Sequence, residues 1–307
     1  MIDVFTQMAA LIACGIAWRV TKPFGLDADT CRHTLTTVVY ALLLPALVLD
    51  VLWQSPLGWD SGRLAMVAAS GVLAATVLAW LAYRIGGTAP PIAGALILAA
   101  AFPNATYMGL PVLEQLLGPW ARSVAIQYDL FACTPLLLTL GILIAQRYGQ
   151  QGPQEPMVRG LLRVPPLWAA VAAVALNVAG VPQPQWLDGL LGMLGGPVVP
   201  LMLISLGMGL QWSAWRPHYA GLLLPVLIIQ LILAPLAVLG LGRGLGLEGG
   251  VLQGAVLEAA MPSMVLGIVL CDRYGLNVGI YAIAVTLSTA LSLITIPLWF
   301  NWISGYG

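Results

Sequence analysis

Ala99-Ala100-Ala101-Phe102-Pro103-Asn104-Ala105-Thr106-Tyr107-Met108-Gly109-Leu110-Pro111 is the stretch on which the reading of this chain turns. It lies in an uncharged run from Ile85 to Leu113, long enough to cross a bilayer as a helix. Pro103 interrupts that run, with Asn104 directly after it. A proline removes one backbone donor and its ring pushes on the carbonyl four residues back, so a helix must break or kink here. In hydrocarbon the freed groups need partners, and a broken helix persists only where it is buried or lines a cavity. Glu258-Ala259-Ala260-Met261-Pro262-Ser263 repeats the design, its proline 159 positions after Pro103 in a chain of 307 residues. Two interrupted apolar segments at matching places in two halves point to a transporter's binding site.

Composition sets the class. The chain is 60% hydrophobic and 8% charged, whereas soluble domains carry about 25% charged residues. So few charges cannot cover a water-facing surface, which leaves a polytopic membrane protein. The net charge is zero and no basic patch suggests nucleic acid. Asp3 stands where a signal peptide would be positive, and no small-x-small cleavage site precedes Arg19 and Lys22, so residues 3–20 read as a first span. Cys14, Cys31, Cys133 and Cys271 are scattered without CxxC spacing, which suggests neither a disulfide framework nor a zinc site. His33 and His218 read as loop histidines without a second ligand nearby, so no metal and no cofactor is expected. HExxH, GxSxG, P-loop and GxGxxG patterns are absent, and Gly240–Gly246 reads as an interhelical loop; nothing points to an enzyme.

Hydropathy and turn punctuation predict an all-α protein with ten spans, near residues 3–20, 34–53, 64–83, 91–117, 123–146, 164–181, 189–211, 219–241, 250–274 and 277–302. The polar segment 147–163 divides a five-helix repeat at 1–146 from a second at 164–307. With an odd number of spans per half, the second half enters from the opposite side and the repeat is inverted. Loops after odd-numbered spans hold nine Lys and Arg (Arg19, Lys22, Arg32, Arg84, Arg147, Arg159, Arg163, Arg216, Arg273), against three after even-numbered spans (Arg63, Arg122, Arg243). Both termini are therefore expected outside and the linker in the cytoplasm. Tryptophans, Trp53, Trp212, Trp215 and Trp299 among them, fall near predicted span ends as an interfacial belt. Pro103 and Pro262 each lie about 18 Å into their spans from opposite faces, near the midplane of a core about 30 Å thick. Leu44-Pro45-Ala46-Leu47 and Val199-Pro200-Leu201-Met202 form a weaker matching pair, and Gly192, Gly196, Gly207 and Gly209 are expected to let helices pack closely.

After each break a half-helix starts with unpaired N–H groups, which attract anions. Asn104 and Ser263 can add side-chain donors there, with Thr106 close behind. Two such ends converging would bind an anion with no basic residue at that depth. Glu258, one turn before Pro262, and Asp129 are acids within spans; such acids are costly and mark ion or proton pathways, so both are candidates for coupling H⁺ or Na⁺. Asp50 and Glu114 lie near the outer ends of their spans and receive no role.

Pro103-Asn104-Ala105-Thr106-Tyr107-Met108-Gly109-Leu110-Pro111 resembles the Pro-Asn…Met-Gly-Ile-Pro pattern of the auxin efflux carrier family, which includes plant PIN-type auxin exporters and bacterial malonate-type carriers. Ala259-Ala260-Met261-Pro262-Ser263, continuing through Asp272-Arg273-Tyr274-Gly275 to Leu287-Ser288-Thr289 and Ile296-Pro297-Leu298, is similar to its second half. The resemblance implies a fold shared with bile-acid:sodium symporters, with crossed broken helices, and makes Pro103, Asn104, Pro262 and Ser263 substrate contacts. It implies alternating-access transport of a small organic anion across the cell membrane, and leaves a homodimer open. Plant members usually carry Gln where Glu258 stands and a long loop where this chain has a short linker, which argues against specificity for auxin itself and favours a titratable coupling residue. A sodium-coupled bile-acid-type symporter and a non-transporting membrane sensor are the alternatives.

Overall fold

Backbone in hydrocarbon must satisfy its own N–H and C=O groups, and helices do this within a single segment. The computed structural model describes residues 2–150, 164–210 and 219–305, and its named elements are all helical. In order they are α1 (Ile2–Thr21), α2 (Ala28–Gln54), α3 (Trp59–Ile85), α4 (Pro90–Ala101), α5 (Leu110–Leu117), α6 (Ala121–Tyr148), α7 (Pro165–Val178), α8 (Gln185–Gly209), α9 (Ala220–Gly244), α10 (Gly249–Ala259), α11 (Gly267–Tyr274) and α12 (Val278–Ser304). Among the described residues, six (α2, α3, α6, α8, α9 and α12) are long and apolar enough to cross a membrane, and α4 and α7 are shorter apolar helices.

Several bounds differ from the sequence reading. α2 starts at Ala28, six residues early, because the Asp27 side chain accepts from the N–H groups of Asp29 and Thr30 and caps it. His33 is therefore helical. α9 runs through Gly244, so Gly240–Arg243 is helix and not loop. Linker residues 151–163, with Arg159 and Arg163, and the segment holding Trp212, Trp215, Arg216 and His218 lie outside the described residues.

Four prolines shape their helices in the same way. Ahead of Pro45, Pro111, Pro135 and Pro235 the helix widens into one π turn, at Val39–Leu43, Ala105–Gly109, Asp129–Cys133 and Ile229–Leu233. In each, the residue before the proline donates its N–H five residues back: Leu44 to Val39, Leu110 to Ala105, Thr134 to Asp129 and Ala234 to Ile229. The wider turn makes room for the ring and keeps the chain helical. The carbonyl four residues before Pro235 is that of Leu231, and Trp299 Nε1 donates to it at 2.8 Å. Trp299 thus donates to the carbonyl that the Pro235 nitrogen cannot serve.

The helices pack as two groups. α1, α2, α7 and α8 form one; α3 to α6 and α9 to α12 form the other. The groups meet where α8 touches the turn Ala105–Gly109 and where α2 and α7 touch α6. α1 and α8 cross with their backbones in contact: a methyl on Gly15 would overlap the Ile204 carbonyl, and one on Gly207 the Ile12 carbonyl. Gly192 has nothing within 4 Å and Gly196 meets no other helix, so those two do not provide the close packing expected of them; Gly195 does, against Leu47 at 3.0 Å. Gly207→Ala should destabilise the protein by about 1–3 kcal/mol by forcing the two backbones apart. Gly192→Ala should be near neutral, and thermal unfolding of the two variants in detergent compares them directly.

Candidate functional site

The two interruptions meet. Asn104 donates its backbone N–H to the Pro262 carbonyl at 2.7 Å, and Met264 donates to the Phe102 carbonyl at 2.9 Å. Pro103 and Ser263 sit opposite each other as an antiparallel bridge one residue pair long. Each break therefore supplies partners that the other lost. A ring of buried polar groups completes the junction. Gln230 Nε2 donates to the carbonyls of Ala259 and Met261, at 3.3 and 2.9 Å. Ser263 N–H donates to Ser288 Oγ at 3.1 Å, and the Tyr281 hydroxyl donates to the Met264 carbonyl at 2.6 Å.

After the first break the helix resumes at once. The N–H groups of Met108 and Gly109 both reach the Asn104 carbonyl, at 3.2 and 3.0 Å, which leaves the three preceding N–H groups without a carbonyl one turn back. The second break is longer: α11 begins at Gly267, so Ser263 lies in extended chain and does not start the second half-helix. The Asn104 side chain is fully buried with neither amide atom hydrogen-bonded, and Ser263 Oγ is likewise buried without a partner.

Asn104, Thr106 and Asp129 line one small cavity, together with Tyr40, Tyr107 and Met264. Its volume is about 30 Å³, which accommodates a water or two and not an organic acid. Asp129 is buried and accepts hydrogen bonds from the hydroxyls of Thr106 and Thr134, the latter at 3.0 Å. The π turn Asp129–Cys133 brings Thr134 back over Asp129. Thr106, expected to face substrate, is thus engaged with a coupling candidate. Pro103, Pro262 and Ser263 do not line the cavity and belong to the junction behind it.

Glu258 is fully buried and neither of its carboxylate oxygens has a hydrogen-bond partner. It packs directly on the backbone of Gly109, where any β-carbon would overlap the carboxylate. The two acids given no role are tied down nearer the loops: Asp50 accepts from Gln183 Nε2 at 2.9 Å, and Glu114 pairs with Arg122. Gln230, Ser288, Tyr281 and Thr134 were not singled out by sequence. The available signal was a lone glutamine in a very apolar span, and Ser288 within the second family-like stretch.

Apolar spans packed around two mutually paired breaks define a multi-span membrane transport protein. The family model described as Membrane transport protein matches residues 3–300, and the chain belongs to that family, the auxin efflux carrier family. It is 31% identical over 283 residues to an uncharacterized transporter of Methanothermobacter thermautotrophicus, covering 91% of this chain and 92% of the relative. It is 22% identical over 243 residues to the uncharacterized transporter YfdV of Escherichia coli, 77% of each chain. It is also 21% identical to the probable auxin efflux carrier component 5a of Oryza sativa subsp. japonica, over 91% of this chain and 86% of that one.

The contact between Gly109 and Glu258 yields a double-mutant test. Gly109→Ala should cost about 1–3 kcal/mol of stability by overpacking. In a Glu258→Ala background, where the space is vacated, most of that cost should vanish. Thermal unfolding of the four proteins measures this, and an equal cost in both backgrounds would uncouple the two residues.

Proposed function

We propose that this protein is a secondary active transporter of small organic anions, carboxylates of the malonate or auxin-like kind, working by alternating access around the helices broken at Pro103 and Pro262. The observation that carries the reading is the Asn104 amide: fully buried, hydrogen-bonded to nothing, and placed at a break whose following N–H groups are unpaired. Such an end attracts anions. Ser263 Oγ, also buried and free, lies across the antiparallel bridge from Pro103. A cavity of about 30 Å³ between the two helix groups is too small for the substrate, so binding requires the groups to separate. Counting α4 with α5 and α10 with α11 as single broken spans gives ten, in two inverted halves at 1–146 and 164–307 around the linker 147–163. The nine-to-three bias of basic residues favours a multi-pass cell-membrane protein with both termini outside.

Coupling to protons through Glu258 follows from charge. An ionised carboxylate beside the junction repels an incoming anion, and protonation removes the repulsion, so proton and anion binding assist each other reciprocally. Asp129, held by Thr106 at the cavity, is the second candidate.

In proteoliposomes Asn104→Ala should lower carboxylate flux and weaken binding without loss of folding, with Ser263→Ala acting in the same direction but less. Unchanged binding and flux would make Asn104 a structural cap. Glu258→Gln imitates the protonated acid and should retain binding while flattening the pH dependence of affinity. A variant with wild-type pH dependence, or a wild type whose affinity follows Na⁺ and ignores pH, would remove Glu258 from the proton role and favour the sodium-coupled alternative.

A further inference from the structure

A second cavity, of about 130 Å³, adjoins the crossover cavity and shares Tyr107 and Leu266 with it. One wall comes from α2 and α8, with Arg32, His33 and Ser205; the facing wall is the apolar chain at Val265, Leu266, Ile268 and Val269. The ordinary task of an arginine at this place is to cap the last carbonyls of α8. Arg19 already performs it, its Nε donating to the Met208 carbonyl at 2.5 Å. Arg19 also holds Asp29, with Nη2 at 2.5 Å from Oδ1, while Arg32 Nε stands 3.8 Å from that oxygen, beyond hydrogen-bond reach. Arg32 Nε is buried without a hydrogen-bond partner, and the side chain lies along Gly209, where a β-carbon would meet its Cδ at 3.4 Å.

Ser205 points to the same cavity. A serine or threonine inside a helix usually bonds a carbonyl one turn back, as Thr36 does to Arg32 and Thr139 to Pro135. Ser205 Oγ has no partner although the residue is 3% exposed. Arg32, ion-paired with Asp29 but with its Nε lacking an acceptor, and Ser205, whose hydroxyl has none, thus line one cavity opposite an apolar wall.

We propose that this cavity is a second anion-binding station, in which Arg32 and Ser205 hold the carboxylate of a small organic acid and the Val265–Val269 wall covers its apolar body. Tyr107 stands between this station and the crossover, so an acid passes from one to the other when that side chain moves. The choice of a carboxylate as ligand rests on the transport reading above; the cationic, hydroxyl-lined cavity does not.

The test reads the cavity without reading transport. Val269, exposed on the cavity wall, is changed to Cys in a Cys14→Ser, Cys31→Ser background, leaving Arg32 and Ser205 intact. Labelling by a methanethiosulfonate carrying a sulfonate is compared with labelling by one carrying an ammonium, with and without benzoate. The sulfonate reagent should be favoured by about fivefold, the preference expected from one nearby charge. Arg32→Gln should abolish the preference and Arg32→Lys should retain it. Benzoate should slow labelling, less so with Ser205→Ala. No labelling by either reagent, a preference indifferent to Arg32→Gln, or no protection by benzoate would each overturn the proposal. Repeating the protection in Asn104→Ala separates the two sites: protection that persists while flux proves independent of Asn104 leaves this station standing and removes the crossover reading.

Discussion

Two backbone hydrogen bonds, Asn104 N–H to Pro262 O and Met264 N–H to Phe102 O, are what the rest of the molecule is arranged to permit. Each proline opens its helix inside an apolar bundle, where an unpaired amide costs several kcal/mol. The two breaks answer for each other, and for that reason residues near 103 and 262 must come together whatever the chain does between them. Gln230, Ser288 and Tyr281 then satisfy what remains at the second, longer break. A junction so constrained fixes the Asn104 backbone in place while neither atom of its side-chain amide has a hydrogen-bond partner.

The same proline chemistry recurs in milder form along the chain. Four prolines are absorbed by a single wide turn, and the turn has consequences for the site in two cases. Before Pro135 it folds Thr134 over Asp129; before Pro111 it turns Gly109 toward Glu258. Wide turns are found disproportionately at functional sites, where a displaced side chain or a freed carbonyl is put to use. Here one carbonyl, that of Leu231, is freed and taken by Trp299.

Division into two helix groups places the candidate site residues at a boundary. Asn104, Thr106 and Asp129 belong to one group and Tyr40, Val164 and Pro166 to the facing one, with a cavity of about 30 Å³ between them. A cavity of that size admits nothing larger than a water or two while the two groups stay in this contact. Membership of the auxin efflux carrier family gives membrane transport as the class of activity and leaves the substrate to the chemistry of the site.

Much of this was legible in the chain as written. Uncharged runs of helical length identify membrane spans because charge in hydrocarbon is costly, and proline within such a run identifies a break because its ring and missing N–H act locally. Pro103 and Pro262 could be read in that way, and so could Asn104 and Ser263 as the polar residues that follow the breaks. Other features depend on partners far along the chain. Nothing local to Gly109 says that Glu258 will lie on it, nothing local to Thr106 says that its hydroxyl will be taken by Asp129, and nothing local to Arg32 says that Arg19 will leave it free. Even the start of the second half-helix, at Gly267 and not at Ser263, follows from the backbone of one break pairing with the other. Sequence determined which groups would lack partners, since that is a matter of covalent geometry and burial; tertiary structure decided which distant group would serve each of them, because only the packed bundle brings those groups within hydrogen-bond reach.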